Sequence, residues 1–167
     1  TSPRKDLSKL LADHSWLEER RPDLDQTLLA PFADVEVQVH VQQVPLGLGN
    51  AIQSALHAID GPFLVLLGDN LLVDQHSTPT SFIPSQASSD LVASFEQHGR
   101  PCAAMMPVEP DEVSNYGVVR IEDSKIVEIV EKPAKENAPS NLVLCGRYVF
   151  TADTSELLER FDVETHG

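Results

Sequence analysis

The run from Gln42 to Asp69, QQVPLGLGNAIQSALHAIDGPFLVLLGD, constrains the fold of this chain more than any other segment. It reads, in order, as a glycine loop, an amphipathic helix, an apolar strand and a lone carboxylate at the strand's end. Gly47 and Gly49 lack a Cβ, so the backbone there can lie close against a ligand. Asn50 stands where it can cap the helix that follows. That helix carries Ala51, Ile52, Ala55, Leu56 and Ile59 on one stripe over residues 51–59, which predicts packing against a sheet. Phe63 to Leu67 is an unbroken apolar run, which predicts a strand covered on both faces. Asp69 falls where that strand gives way to a loop, the place where open α/β sheets bind ligands. A nucleotide or metal site is the leading expectation from this order of parts.

The flanking sequence extends the same pattern. Leu7, Leu10 and Leu11 share one face of a predicted helix over 6–13. Ser15-Trp16-Leu17-Glu18 has the form of a capping box, so a second helix is predicted from Trp16, with Pro22 kinking or restarting it. Residues 35–41, VEVQVHV, alternate as a half-exposed strand does. Residues 75–89 are rich in Ser, Thr, Pro and Gln and read as a loop, followed by a helix over 89–98 that stops at Gly99. An apolar strand is predicted over 102–108, a hairpin over 117–121 and 125–130 about Asp123-Ser124, a further strand over 142–150, and a short helix over 153–161. The mixture of parallel-type and hairpin connections predicts one mixed α/β domain over 1–167.

Charge narrows the partners. With 26 acidic and 12 basic residues the formal net charge is −14, a surface that repels nucleic acid and anionic membrane. An anionic substrate needs local positive charge or a metal against this field. Cys102 and Cys145 lie among apolar residues and read as two buried, reduced thiols. No apolar run approaches the roughly 18 residues that a membrane-crossing helix needs, and a cytoplasmic location is expected.

Several residues could carry chemistry. The loop LGLGNAI looks like a dinucleotide fingerprint, and Asp69 lies 20 residues beyond Gly49, where a ribose-binding acid belongs. Ile52 at the sixth position removes the close helix–strand approach, however, and Gln42-Gln43-Val44-Pro45 separates the glycines from the preceding strand. Asp69 is open to two readings, an Asx-type turn residue or one ligand of a magnesium ion that takes its other ligands from phosphate. Asp74, close by, reads as a solvated loop residue. Pro133 ends a strand, so Glu131 and Lys132 project from its tip, either as an ordinary surface pair or as a sugar-hydroxyl acceptor and a phosphate contact. Gly117 and Gly146 mark bulges or places where a ligand approaches a strand edge. The six histidines show no metal-ligand spacing, and no serine sits in a nucleophile elbow.

Taken in order, Q-x4-GLG, LLGD, SNYGVV, IVEKP and APSNLVLCGRYVF resemble the bacterial-type UTP–glucose-1-phosphate uridylyltransferases, within the sugar nucleotidyltransferases. The opening TSPRK and the later SWLEE are similar to that family's T-x-R-x-K segment and S-x-x-LE helix. The resemblance implies an incomplete nucleotide-diphospho-sugar transferase fold, with a Rossmann-like, mixed and mostly parallel sheet, and the reaction of UTP with glucose 1-phosphate to give UDP-glucose and pyrophosphate. It implies Gln42 on the uracil edge, Gly47 beside the nucleotide, Asp69 on Mg²⁺, and Gly117 and Gly146 against the sugar. Glu131 would accept glucose hydroxyls, Lys132 would contact phosphate, and the full-length enzyme would be a homo-oligomer. The family's G-x-G-T-R loop and its second metal-binding Asp are not in the chain, so an internal piece of a larger enzyme, inactive alone, is expected. A thymidylyltransferase or other sugar-1-phosphate nucleotidylyltransferase, and a non-catalytic sugar-nucleotide binding module, are the alternatives.

Overall fold

A computed structural model describes residues 15–23, 35–78, 80–81 and 83–160. The chain divides into two compact units, residues 1–55 and 56–167. The predicted helix over 6–13 and the TSPRK segment lie outside the described residues.

In the first unit, helix α1 spans Ser15–Arg20. It stops before Pro22, which stands in a turn instead of kinking a longer helix. Residues 35–41 form no strand. Val35, Val37, Val39 and Val41 are all exposed, and no β-ladder to this segment forms among the described residues. Alternation makes a segment ready to be a strand, but the ladder's hydrogen bonds need a neighbour. Helix α2 spans Leu48–Gln53 and begins at Gly47, so Gly47 holds the N-cap position assigned in the sequence to Asn50. Gly47 has φ 96° and ψ −178°, a conformation open essentially to glycine alone. The regular helix is shorter than predicted, and a 3-10 turn at Leu56–Ala58 follows it.

The second unit is built on a sheet of five strands: β1 (Phe63–Leu66), β2 (Cys102–Pro107), β3 (Gly117–Glu122), β4 (Lys125–Glu131) and β5 (Leu142–Phe150). Every pairing among them is antiparallel, where a mostly parallel sheet was expected. The predicted β3–β4 hairpin is present, and no parallel ladder forms among the described residues. The mixed α/β class stands.

β5 is the spine. Its residues 148 and 149 pair with both β1 and β2, and residues 142 and 143 pair with both β2 and β3. A strand has only two edges, so β2 takes one and β1 and β3 share the other. β1 covers β5 from Arg147 onward, and β3 covers it only at Leu142 and Val143. β4 completes the β3 hairpin at the margin. Its turn places Asp123 at φ 48° and Ser124 at φ 60°, the left-handed pair that matches the twist of a two-residue hairpin.

The core lies where β3 meets β5. Val118 and Val143 are register partners and fully buried, with Val113 against them and Val108, Tyr116 and Ala138 packed around. Helix α3 (Ala87–His98) packs against β2 and β5, with Leu91 buried and Val92 and Phe95 half-buried. It ends at Gly99, whose φ of 62° closes the last turn onto the Phe95 carbonyl. Helix α4 (Thr154–Glu159) follows β5. β1 is not covered on both faces. Phe63 and Val65 are half-buried, while Leu64 and Leu66 are exposed, which is what an edge strand with one packed face shows. Both cysteines are free, Cys145 buried and Cys102 partly so. Among the described residues, no helix is long and apolar enough to cross a membrane.

Candidate active site

Between the end of β1 at Arg147 and the start of β3 at Val143, one edge of β5 has no strand beside it at Leu144, Cys145 and Gly146 among the described residues. Two segments converge on this notch. From one side comes the turn after β1, tied down by a hydrogen bond from the Leu67 N–H to the Gly146 carbonyl at 2.8 Å. It carries Asp69. From the other side comes the paired end of the β3–β4 hairpin, where Gly117 stands opposite Glu131. An ideal Cβ on Gly117 would lie 3.5 Å from Leu144 Cδ1, so this tip reaches the β5 residue next to the notch.

The notch exists because β5 is bulged. Ala103 pairs with Tyr148 and Met105 with Leu144, so Cys145, Gly146 and Arg147 stand opposite Ala104 alone. Gly146 absorbs the distortion with φ 65°. A Cβ there would lie 2.7 Å from Asn70 Nδ2 and 3.1 Å from Leu67 Cβ. Glycine is therefore required twice over, by the backbone and by the loop resting on it. The bulge read for Gly146 is present in the structure.

Asp69 is exposed. Its Oδ1 accepts a hydrogen bond from Asn70 Nδ2 at 3.1 Å, and Oδ2 has no partner among the described residues. Asp74, not Asp69, is the Asx-turn residue: its Oδ1 accepts from the His76 N–H at 2.8 Å. No group of three or more His, Cys, Asp or Glu able to hold a metal forms among the described residues. A single exposed carboxylate oxygen fits Mg²⁺ that draws its other ligands from phosphate and water, and does not fit a closed protein cage.

Glu131 and Lys132 do project from the end of β4. Glu131 Oε2 lies 3.1 Å from where a Gly117 Cβ would be, so the missing side chain leaves room for the carboxylate. Glu131 Oε1 is 3.6 Å from Lys132 Nζ, with both side chains well exposed. Such a pair is worth about 0–1 kcal/mol, so a ligand separates it at small cost. Lys132 itself sits at φ 46°, held by its N–H on the Tyr116 carbonyl at 2.9 Å and followed by buried Pro133. A left-handed lysine before a proline is strained, and such strain gathers at functional sites. Burial pushes the Tyr148 phenol up, and the charge of Glu131 pushes it further.

Gln42 and Gly47 belong to the first unit. The Gln42 amide nitrogen donates to the Gly47 carbonyl at 3.1 Å and to Asn50 Oδ1 at 2.8 Å. Those two acceptors fix which end of the amide is nitrogen. They leave the Gln42 oxygen as the end available to a donor on a ligand. The glutamine thus braces the glycine loop from which α2 starts.

Asn70 and Arg147 escaped the sequence reading although both meet at the notch. Arg147 Nε donates to Ser88 Oγ at 3.1 Å, and Nη1 reaches the Asn70 carbonyl at 3.4 Å. The available signal was an arginine set inside an otherwise apolar strand, immediately after a glycine.

Known proteins bear on this arrangement. The chain is 38% identical over 164 residues to a UTP–glucose-1-phosphate uridylyltransferase of Haemophilus ducreyi, covering 89% of this chain and 53% of that protein. It is 32% identical over 157 residues to the protein of the same name from Streptococcus pneumoniae, covering 89% and 50%. The chain thus spans about half the length of the curated relatives it matches. Its fold is similar to a solved UDP-glucose pyrophosphorylase complexed with UDP-glucose, with TM-score 0.73 and 28% identity, over 96% of this chain and 60% of that one. A UDP-glucose pyrophosphorylase from Acinetobacter baumannii gives TM-score 0.68 at 26% identity, over 98% and 60%. Residues 6–166 match the profile of the nucleotidyl transferases, and the chain belongs to that family.

Proposed function

We propose that the protein carrying this chain transfers a uridylyl group from UTP to glucose 1-phosphate, giving UDP-glucose and pyrophosphate. A phosphate oxygen of the sugar phosphate attacks the α-phosphorus of UTP in line. The bond from that phosphorus to the bridging oxygen breaks, and pyrophosphate leaves with the electron pair. The attacking oxygen is already anionic at neutral pH, so no general base is needed. Positioning and charge neutralisation carry the rate.

The observation that carries this reading is the convergence of the Asp69 turn and the Gly117–Glu131 tip on one notch of β5. The likeness to relatives named uridylyltransferases supports the choice of substrates. Asp69 Oδ2 would hold Mg²⁺, which when bound neutralises phosphate charge. Glu131 would accept glucose hydroxyls, Gly117 would lie against the sugar, Gly146 would line the sugar pocket through its backbone, and Lys132 would bind phosphate. Gln42 would accept from the uracil N–H through its free oxygen, with Gly47 beside the nucleotide. The free thiols agree with a cytoplasmic enzyme, and a homo-oligomer remains part of the reading.

The test is pyrophosphate release by the full-length protein from UTP or dTTP with glucose 1-phosphate. UTP is expected to be preferred, and Asp69→Asn and Lys132→Ala are each expected to lower turnover about 10²–10³-fold. Saturable UDP-glucose binding with no pyrophosphate release would replace the enzyme reading with a binding module. Unchanged turnover in both variants would remove these residues from the mechanism.

A further inference from the structure

Arg147 has no task in the reaction as described, yet it stands half-buried inside the sheet's central strand. Burying part of a guanidinium costs solvation, so its partners have to account for it. Those partners are uncharged oxygens, Ser88 Oγ at 3.1 Å and the Asn70 carbonyl at 3.4 Å. Among the described residues no carboxylate lies within ion-pair distance of it, although the chain carries a net charge of −14. The bulge that places Arg147 is the same one that seats the loop it reaches. The Gly146 carbonyl takes the Leu67 N–H, Gly146 lies under Asn70, and Arg147 reaches the Asn70 carbonyl beyond it. Asn70 in turn donates through its side chain to Asp69 Oδ1 at 3.1 Å. A continuous chain of contacts therefore runs from Ser88, in the first turn of α3, to the carboxylate at the notch.

We propose that Arg147 is a positioning residue: anchored on Ser88, its guanidinium holds the Asn70 carbonyl and so fixes the Asp69 carboxylate where a nucleotide-bound divalent cation is met. A charge-assisted bond to a carbonyl is stronger and more directional than a neutral one. The planar fork of arginine holds two acceptors in a fixed relative geometry, whereas lysine offers a compact point charge on a flexible stem. This inference deepens the uridylyltransferase reading and rests on it for the identity of the cation. The clamp itself is a property of the folded chain.

The experiment uses the full-length protein and four forms: wild type, Arg147→Met, Arg147→Lys and Ser88→Ala. Amide hydrogen exchange of residues 68–71 without ligand tests the clamp independently of catalysis. Exchange is expected to speed up about tenfold in Arg147→Met, the loss that follows from removing one charge-assisted bond, and less in Ser88→Ala. Mn²⁺ titration in the presence of UTP tests the link to the cation. Affinity is expected to fall about 10- to 100-fold in Arg147→Met, as when an outer partner of a metal ligand is removed. Arg147→Lys is expected to recover part of that loss, and the KM for glucose 1-phosphate is expected to stay as in wild type. Ser88→Ala decides the clamp should Arg147→Met fail to fold. Unchanged exchange at 68–71 in the folded variants overturns the clamp. Faster exchange with unchanged Mn²⁺ affinity overturns its role in setting the cation position. Faster exchange and weakened Mn²⁺ binding in the variants, alongside a wild type that releases no pyrophosphate, uphold the positioning role and reject the transferase reading alone.

Discussion

Gly146→Ala tests how the Asp69 turn is seated, and its cost can be worked out from the geometry. At φ 65° an alanine gives up about 1–2 kcal/mol relative to a right-handed conformation. Its Cβ would stand 2.7 Å from Asn70 Nδ2, 3.1 Å from Leu67 Cβ and 3.2 Å from Leu67 Cδ1. The Asn70 amide can swing aside. Leu67 Cβ cannot, because it is fixed to a backbone whose N–H is bonded to the Gly146 carbonyl at 2.8 Å. Overpacking of this kind costs about 1–3 kcal/mol, so the total is about 2–5 kcal/mol. Gly99→Ala is the matched control. Its φ is nearly the same, 62°, and a Cβ there meets nothing within 4 Å, so it carries the conformational cost alone. Urea unfolding of the full-length protein is expected to show Gly146→Ala less stable than Gly99→Ala by about 1–3 kcal/mol. Adding Asn70→Ala to Gly146→Ala is expected to restore part of that difference. Equal destabilisation by the two glycine replacements would refute the claim that the loop packs on the bulge.

Two further outcomes follow. Lys132→Gly is expected to be more stable than Lys132→Ala by about 1 kcal/mol in the same unfolding assay, because only glycine accepts the left-handed backbone freely, and both are expected to lose the same share of turnover; equal stabilities would mean the backbone at 132 is not strained. Burial pushes the Cys102 thiol up, with a hydrogen bond from the Val149 backbone opposing it. A raised value means less thiolate at any given pH, so iodoacetamide labelling of Cys102 in the native protein is expected to keep rising above pH about 8.5, the ordinary thiol range, and a labelling rate that levels off below that pH would contradict the burial argument.

The local elements were legible in the sequence wherever one short-range rule decided them. The Asp123-Ser124 hairpin, the Gly99 stop and the break at Pro133 each depend on the conformational limits of one or two residues, and each appears in the structure. Errors arose where a partner at long range decides. The valines of 35–41 alternate as strand residues do, yet no described neighbour completes their ladder. Phe63 to Leu67 is apolar enough for a doubly covered strand, yet among the described residues β1 pairs on one side only, and its Leu64 and Leu66 stay exposed. An apolar side chain states a preference for burial without saying what will cover it. The site behaved the same way. Asp69, Gly117, Glu131, Lys132 and Gly146 were read as candidates from position, but that the Asp69 turn and the Gly117–Glu131 tip flank one stretch of β5 depends on β1 and β3 sharing an edge of it.

By itself the sequence determined the parts: the glycine at the start of α2, the carboxylate after β1, the Glu-Lys pair before a proline and the glycine inside β5. Those follow from φ limits and polarity, which act over a few residues. Only the tertiary structure decided that the strands pair antiparallel, that β5 bulges over Cys145–Arg147, and that Arg147 reaches the Asn70 carbonyl. These depend on contacts between residues as far apart as 70 and 147, and nothing in a local window specifies which distant partner a backbone hydrogen bond will find.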